Sequence, residues 1–315
     1  MSSLIITVFG STGTQGGSLA QALLSDPQKR FAVRAVTRKP ESPAAQKLRQ
    51  SGAEIVVADL DDSCSVYRAL EGAYGAFFVT NFWEHFSAEK ELTQAHVLAS
   101  AASQAGIQHA IWSTLEDTRE FFAADGSRMP VLQARYNVPH FDAKGEANRY
   151  FVQQRVPTTF LYTSGYFENL IYFGLGPKRR TDGSLAVRYP TADRKIPWVA
   201  AEDIGRSAFQ VFARGDSMAG VSIGIAGDHL TGTELADGLA SHLKEPVSYE
   251  AVSADAYRAS GEPGADELGN MFQFKRDFET QYRAQRDLER ARALNPQMQT
   301  FKQWLARHAA QIPVA

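Results

Sequence analysis

Cysteine is almost absent from this sequence, which has one, Cys64, among 315 residues. A single thiol cannot form an internal disulfide, so the fold must be held by packing, as is typical of proteins in a reducing compartment. Cys64 lies in a polar run without a cysteine or histidine nearby. We interpret it as an ordinary thiol at the start of a helix, and we expect no metal site.

Long hydrophobic runs are absent as well. No apolar stretch approaches the roughly 20 residues that cross a bilayer. The first apolar run begins at Leu4, which leaves too little chain before it for a signal or transit peptide. We therefore expect a soluble intracellular protein, located in the cytoplasm and without a membrane partner, and a nuclear location stays open.

An excess of positive charge is also missing, since 33 Lys and Arg residues face 35 Asp and Glu residues and the net charge is -2. A binder of polyanions normally carries a basic surplus, so the composition argues against direct nucleic-acid binding. A regulatory protein partner and a homodimer stay open, because protein interfaces need no net charge.

Strand-like and helix-like stretches alternate through the first half of the chain. This rhythm predicts an α/β fold of the Rossmann type, a doubly wound parallel sheet with right-handed crossovers. The predicted strands are residues 4–9, 31–36, 54–57, 74–79, 109–113 and 157–162, and the predicted helices are 18–24, 44–50, 62–70, 87–104 and 141–153.

The alternation weakens after Gly174. Residues 117–139 have weak periodicity and predict an irregular segment over the carboxyl edge of the sheet. We predict two domains: a Rossmann domain of residues 1–169 plus about 196–226, and a smaller α+β lobe of about 170–195 plus 227–315 on the substrate or partner side. Later predicted strands are 184–189, 195–199 and 221–226, and later helices are 201–213, 231–243, 267–294 and 301–308.

A glycine-rich turn joins the first predicted strand to the first helix. Gly10, Gly13 and Gly16 have the spacing G-x-x-G-x-x-G. Gly10 allows a sharp turn, Gly13 leaves room for a pyrophosphate, and Gly16 allows the helix to approach the sheet. The helix N-terminus then offers amide groups to the phosphates. The alternative is a plain glycine-rich turn, but its place between a strand and a helix favours a dinucleotide site.

The end of the second strand indicates NADP(H) and not NAD(H). An NAD site usually has an acid there, which binds the ribose 2′-hydroxyl and repels a 2′-phosphate. Here Arg38 and Lys39 stand in that place, and arginine can bind a phosphate through two parallel hydrogen bonds. The alternative is that both are solvated surface cations.

One element of an ordinary short-chain dehydrogenase is missing. Such enzymes place Tyr and Lys four residues apart on one helix, where the tyrosine transfers a proton. No tyrosine here has a lysine four residues later; the candidate helix has His140 and Lys144. Three interpretations stay open. Lys144 holds the nicotinamide ribose, or Lys144 or His140 performs altered proton chemistry, or both are incidental surface residues.

The segment after the sixth strand is aromatic and polar, and in a Rossmann fold it would meet the nicotinamide. Tyr166 and Phe167 could pack on that ring, although core packing is the alternative. The complete set of predicted cofactor-binding residues is Gly10, Ser11, Thr12, Gly13, Thr14, Gln15, Arg38, Lys39, Asp59, Leu60, Thr80, Asn81, Phe82, Lys144, Tyr166, Phe167, Glu168 and Asn169.

These residues resemble the NmrA-like family of atypical short-chain dehydrogenases, and within it the NADPH-sensing members. The resemblance runs from about Ile5 to about His308 and rests on several motifs. They are Phe9-Gly10 with Gln15-Gly16-Gly17, Val36-Thr37-Arg38, Trp83-Glu84, His140-Phe141-Asp142 with Lys144-Gly145-Glu146, Tyr166-Phe167-Glu168-Asn169, Asn270-Met271-Phe272, Leu294-Asn295-Pro296 and Gln303-Trp304-Leu305.

The resemblance implies NADP(H) binding and a redox sensor or regulator without ordinary dehydrogenase activity. It also implies regulatory partners and an oligomeric state that follows cofactor occupancy. Thr93 departs from the pattern, because the sensor has a cofactor-contacting lysine there. Phe141 with Lys144 is also similar to isoflavone-type reductases, whose lysine is a base, and this keeps a reductase of quinones, enones or carbonyls as the alternative.

Overall fold

The computed structural model describes residues 3–314. Its strands and helices are as follows. The strands are β1 (Leu4–Val8), β2 (Phe31–Thr37), β3 (Glu54–Val57), β4 (Gly75–Phe78), β5 (His109–Thr114), β6 (Thr158–Tyr162), β7 (Gly165–Tyr166), β8 (Lys178–Arg179), β9 (Leu185–Tyr189), β10 (Ile196–Val199), β11 (Ser222–Gly224), β12 (Asp228–Leu230) and β13 (Val247–Ala251). The helices are α1 (Thr14–Leu24), α2 (Pro43–Gln50), α3 (Ser63–Leu70), α4 (Phe82–His85), α5 (Ala88–Gln104), α6 (Pro139–Gln153), α7 (Asn169–Tyr172), α8 (Ala201–Arg214), α9 (Gly232–Leu243), α10 (Ala254–Arg258), α11 (Ala265–Asp277), α12 (Glu279–Gln285), α13 (Leu288–Leu294) and α14 (Phe301–His308).

The chain forms two compact units. Unit 1 consists of residues 1–117, 139–162 and 202–223, and unit 2 of residues 118–138, 163–201 and 224–315. The predicted domain division differs from these units in residues 118–138, 163–169, 196–201 and 224–226, which are part of unit 2. The assignment of cofactor binding to one domain stays a prediction.

Unit 1 is built on a sheet with the strand order β11-β6-β5-β4-β1-β2-β3. The pairings from β3 across to β6 are parallel, and β4 and β5 are buried at every residue. The order reverses between β1 and β4, which is the place where a Rossmann fold binds its ligand. The predicted Rossmann-type α/β fold is therefore confirmed.

Helix α1 begins earlier than its sequence predicts, at Thr14 and not at residue 18. Gly16 and Gly17 are poor helix formers, so local propensity places the start after them. Close packing decides otherwise. At α8, a Cβ on Gly205 would lie 2.2 Å from the carbonyl carbon of Ser18, which means that α8 lies directly on the backbone of α1.

Unit 2 contains two small sheets, with the orders β12-β10-β7 and β13-β9-β8. Its predicted long charged helix over residues 267–294 is wrong in one respect, because the segment forms three helices, α11, α12 and α13. Helix α12 ends at its C-cap residue Arg286, whose backbone leaves the helical region (φ −113°, ψ 50°), and α13 begins after its N-cap residue Asp287. The Arg286 side chain is fully buried, lies 3.8 Å from the Tyr282 ring centroid and donates a hydrogen bond to the Thr163 carbonyl.

The segment 118–138 is mostly irregular, as its weak periodicity predicts. Asn270 of α11 binds it by donating hydrogen bonds to the carbonyl groups of Pro130 and Asn137. Phe122 also stacks on Phe278, with ring centroids 5.3 Å apart. Within residues 3–314, no helix is long and apolar enough to span a bilayer.

Candidate functional site

The glycine-rich turn lies at the carboxyl end of β1. Gly10 has a φ of +62°, the left-handed region that a sharp turn requires. The Gly13 amide donates a hydrogen bond to the Gly10 carbonyl at 2.9 Å. A Cβ on Gly16 would lie 2.5 Å from the carbonyl oxygens of both Phe9 and Gly10. Only glycine therefore allows α1 to start this close to the strand.

The N-terminus of α1 is suited to an anion. Its N-cap residue is Gly13, so no side chain caps the helix, and its first turn contains no acidic residue. The first amides of a helix lack intrahelical acceptors and carry a partial positive charge. Thr12 and Thr14 are exposed at this end. The turn itself is held in place, because Ser11 Oγ donates to the Val36 carbonyl at 2.7 Å and Ser113 Oγ donates to Gln15 Oε1 at 2.7 Å.

Arg38 follows β2 and forms an ion pair that sequence analysis does not anticipate. Its Nη1 and Nη2 atoms donate to Glu84 Oε1 and Oε2 of α4, at 2.6 and 2.9 Å. We call this the surface pair, because both side chains are about half exposed, 53% for Arg38 and 46% for Glu84. Hydrogen bonding to Glu84 raises the pKa of Arg38 and lowers the pKa of Glu84.

The other residues predicted near the adenosine end lie around Arg38. Lys39 is exposed, and Asp59 and Leu60 are partly exposed after β3. Asp59 Oδ1 accepts a hydrogen bond from the Asp61 amide at 3.0 Å. The charges of Asp59 and Asp61 add to the rise in the pKa of Arg38. The ends of β2, β3 and β4 therefore bring these groups together in unit 1.

Lys144 lies in a second, buried group of polar residues, which we call the buried cluster: Thr80, His85, Glu91 and Lys144. Lys144 Nζ lies 2.6 Å from Glu91 Oε1 and donates to Thr80 Oγ1 at 2.7 Å and to the Thr80 carbonyl at 3.1 Å. Thr80 Oγ1 donates to Glu91 Oε1 at 2.7 Å. Glu91 is fully buried and Lys144 is 8% exposed. The acceptors around the ammonium group are therefore enough to satisfy all its N–H donors.

His85 extends the buried cluster toward α4. Its Nδ1 accepts a hydrogen bond from the Ser87 amide at 3.1 Å, so a neutral ring carries its proton on Nε2. Nε2 lies 3.6 Å from Glu91 Oε2. Neither atom has a hydrogen-bond partner among the described residues. The distance is too long for a direct hydrogen bond but allows electrostatic attraction.

His140 occupies the place of the missing tyrosine, in the first turn of α6. It is 6% exposed, and its ring centroid lies 5.7 Å from that of Phe82, 5.0 Å from that of Trp83 and 4.8 Å from that of Phe141. Asn81 is the N-cap residue of α4, and its side chain makes no capping hydrogen bond. The aromatic contacts hold His140 and α4 together.

Unit 2 contains the remaining predicted residues, 166–169. The Phe167 side chain is fully buried against Trp198, Phe301 and Trp304, which is the core packing that the sequence left as an alternative. Glu168 accepts hydrogen bonds from the Ala201 amide at 2.9 Å and from Trp304 Nε1 at 2.8 Å. Burial raises the pKa of Glu168. Tyr166 and Asn169 are partly exposed, and nicotinamide contact by this segment stays a prediction.

Comparison with known proteins decides the family. The sequence model of the NmrA-like family matches residues 2–305. This chain belongs to the NmrA-like family. A relative from Aspergillus hancockii, named the NmrA-like family domain-containing oxidoreductase hkm9, is 32% identical over 55% of this chain and 50% of that protein. The oxidoreductase cpsB of Aspergillus campestris is 27% identical over 87% of this chain and 83% of its own length. This chain thus spans about half the length of the first of these relatives, and 42% of an oxidoreductase from a Cladobotryum species.

Solved structures share the fold. NmrA, a negative transcriptional regulator in complex with NADP, has a TM-score of 0.74 at 23% identity, covering 98% of this chain and 95% of that one. The triphenylmethane reductase of Citrobacter sp., complexed with NADP(H), has a TM-score of 0.75 at 19% identity and covers 97% and 99% of the two chains. At these identities the likeness concerns the fold.

In this NmrA-like chain, unit 1 contains the glycine turn, the residues predicted to lie at the adenosine end, and Lys144. Sequence reasoning missed His85 and Glu91, and it quoted Glu84 only as part of a family motif without a role. A signal for Glu91 was present, because it falls on the face of α5 that also carries the buried residues Ala88, Leu92 and Ala95. A charge on an apolar helix face needs a partner. Thr93, the departure from the family pattern, is exposed on the same helix.

Proposed function

We propose that this chain binds NADP(H) in unit 1 and acts as a redox-responsive regulator without ordinary dehydrogenase activity. The predicted cofactor would place its pyrophosphate at the N-terminus of α1 and its 2′-phosphate at Arg38. The geometry of the glycine turn fits this, because a Cβ on Gly16 would collide with backbone and the helix end has neither cap nor acid. The guanidinium of Arg38 fits a phosphate through the same bidentate contacts that it makes to a carboxylate.

The observation that carries the regulatory role is the environment of Lys144. Glu91 and Thr80 engage its ammonium group within 3.1 Å, and no tyrosine precedes it by four residues. A proton donor to substrate needs an N–H that points at the substrate. Lys144 is therefore assigned to holding the end of β4, where the nicotinamide ribose is expected.

Titration with both redox forms tests the regulatory role. Isothermal titration calorimetry with NADPH and NADP⁺, and size-exclusion chromatography with light scattering, would compare the free and bound protein. We expect the two forms to differ in affinity, in oligomeric state or in capture of a regulatory partner. Equal affinities together with an unchanged molar mass and partner binding would reject the sensor.

The second candidate is an NADPH-dependent oxidoreductase that reduces a quinone, enone or carbonyl. Two observations favour it: several relatives are named oxidoreductases, and His85 and Glu91 form a line of polar groups that ends at Lys144. NADPH would supply a hydride, and the buried cluster would hold a proton at Lys144 Nζ.

NADPH oxidation over a panel of quinones and enones separates the two functions. The regulator predicts no turnover with any acceptor. The reductase predicts turnover that disappears in Lys144→Met combined with Glu91→Gln, a pair of substitutions that removes both buried charges together. Turnover that survives in this double variant, with the fold checked by circular dichroism, would remove Lys144 from the chemistry.

A further inference from the structure

The surface pair joins the segments that follow β2 and β4, the two strands on either side of β1 in the sheet. In the order β4-β1-β2, Arg38 comes directly after β2 and Glu84 lies on α4, which follows β4. Their contact therefore spans the carboxyl end of β1, where the glycine turn begins. Ser11 ties that turn to the same end of β2 through its hydrogen bond to the Val36 carbonyl. The pair thus crosses the place between β1 and β4 where the strand order reverses, which is where a Rossmann fold binds its ligand.

The guanidinium of Arg38 is occupied in the way that a phosphate would occupy it. Both Nη atoms bind one carboxylate, each with its own oxygen, at 2.6 and 2.9 Å. A ribose 2′-phosphate uses the same parallel arrangement of donors. Two anions that compete for one guanidinium group repel each other, and Asp59 and Asp61 already contribute negative charge around Arg38. Glu84 holds two of the five N–H donors of Arg38, so a 2′-phosphate that binds the same two must displace it.

We infer that Glu84 occupies the place of the 2′-phosphate on Arg38 and is displaced when NADP(H) binds. This carboxylate therefore sets how much more tightly the chain binds NADP(H) than NAD(H). The inference rests on the proposed binding of NADP(H). A 2′-hydroxyl does not require the exchange, and the competition therefore weakens NADP(H) alone. The surface pair is about half exposed, so water and salt can reach both partners and the exchange is reversible.

The experiment measures dissociation constants for NADP⁺ and NAD⁺ by calorimetry at low ionic strength. In Glu84→Gln we expect NADP⁺ to bind about two- to fivefold more tightly, in line with the strength of exposed ion pairs, and NAD⁺ to bind as in the wild type. The gain should shrink as salt is added. Adenosine 2′,5′-bisphosphate against 5′-AMP should repeat the difference, which would locate it at the phosphate.

A matched control is available on the same sheet. Glu54 of β3 pairs with Arg34 of β2 at 2.8 Å, and its side chain is 54% exposed. This glutamate lies at the start of β3, away from the carboxyl edge, so Glu54→Gln removes the same chemistry without touching Arg38. We expect no change for either dinucleotide. Glu84→Asp keeps the charge on a shorter side chain and should gain less than Glu84→Gln.

The possible outcomes are distinct. Unchanged NADP⁺ affinity in Glu84→Gln overturns the competition and leaves the proposed function intact. Weaker NADP⁺ binding means that Glu84 orients Arg38, and an equal gain for NAD⁺ means a general charge effect; either result also overturns the inference. Wild-type protein that binds neither dinucleotide rejects the proposed function, and the inference with it.

Discussion

Two cations predicted to hold the cofactor are each paired with a glutamate, but in opposite surroundings. Lys144 and Glu91 are buried in unit 1, whereas Arg38 and Glu84 are about half exposed. Burial removes the water that would stabilise a lone charge, so the two buried partners depend on each other. An exposed pair is screened and can change partners at little cost. The buried pair is suited to holding a structure, and the exposed pair to exchanging a ligand.

The largest effect should come from breaking the buried pair. Lys144→Met leaves the Glu91 carboxylate, which is fully buried, without its cation, and we expect the free energy of unfolding to fall by about 3–5 kcal/mol. Urea denaturation measures it. The double variant with Glu91→Gln should lose less than the single variant. A loss under about 1 kcal/mol for Lys144→Met would show that water reaches the carboxylate.

The next effect concerns ligand exchange at the surface pair. Arg38→Ala removes the charged bidentate contact, and we expect NADP⁺ binding to weaken by about 1.5–3 kcal/mol, roughly ten- to hundredfold, with NAD⁺ almost unaffected. Calorimetry measures both constants. Arg49→Ala, at an exposed arginine of α2, serves as the control. Equal losses for the two dinucleotides would contradict the assignment of Arg38 to the 2′-phosphate.

A smaller effect extends the comparison to a buried group that is not part of an ion pair. His109 of β5 is fully buried, its Nε2 lies 2.9 Å from Thr159 Oγ1, and burial lowers its pKa below the usual 6.5. The unfolded chain then binds the proton more readily, so the stability is fully present above about pH 6.5 and is lost as the pH falls toward the lowered pKa.

We expect His109 to lower the free energy of unfolding by about 1 kcal/mol for each pH unit below about 6.5. Urea denaturation across this acid range, for the wild type and His109→Gln, gives the difference in slope. Parallel pH profiles for the two proteins would mean that another group carries the dependence.

The smallest effect is the stability contribution of the surface pair itself. A double-mutant cycle with Arg38→Ala and Glu84→Gln should give a coupling below about 1 kcal/mol, decreasing with added salt. Arg38 lowers the pKa of Glu84, so the coupling is present above the ordinary glutamate pKa and is lost as the pH falls through the lowered one. A larger coupling energy that does not decrease with added salt would show that the surface pair behaves like the buried pair of Lys144 and Glu91.

Much of the fold could be predicted from the sequence, because apolar runs and glycines report local structure directly. The bounds of β3 and α14 match their predictions, and β1, β2, β5 and β6 differ by about one residue. Short polar elements could not be predicted. Strand β13 alternates polar and apolar residues weakly and is defined by its parallel pairing with β9, while α4 has four residues, too few to show a period.

The candidate site was predicted from separate local motifs, and this explains why the charged partners of Arg38 and Lys144 were missed. The glycine turn and Arg38 follow recognisable strands, so their positions could be derived. Glu84 and Glu91 contact Arg38 and Lys144 across 46 and 53 positions of sequence. Glu91 lies in no motif, and the family motif that contains Glu84 does not indicate Arg38 as its partner. Partners at such distances are brought together by the tertiary fold, which periodicity does not encode.

The division of the chain into interleaved segments has a consequence for synthesis. The backbone passes from one unit to the other five times, and unit 1 receives its last segment only at residues 202–223. A chain emerging from the ribosome therefore cannot complete its first unit until most of its length has been made, unlike proteins whose domains mature in order from the N-terminus. We expect shortened nascent chains to depend on chaperones, and no single proteolytic cut to release either unit whole.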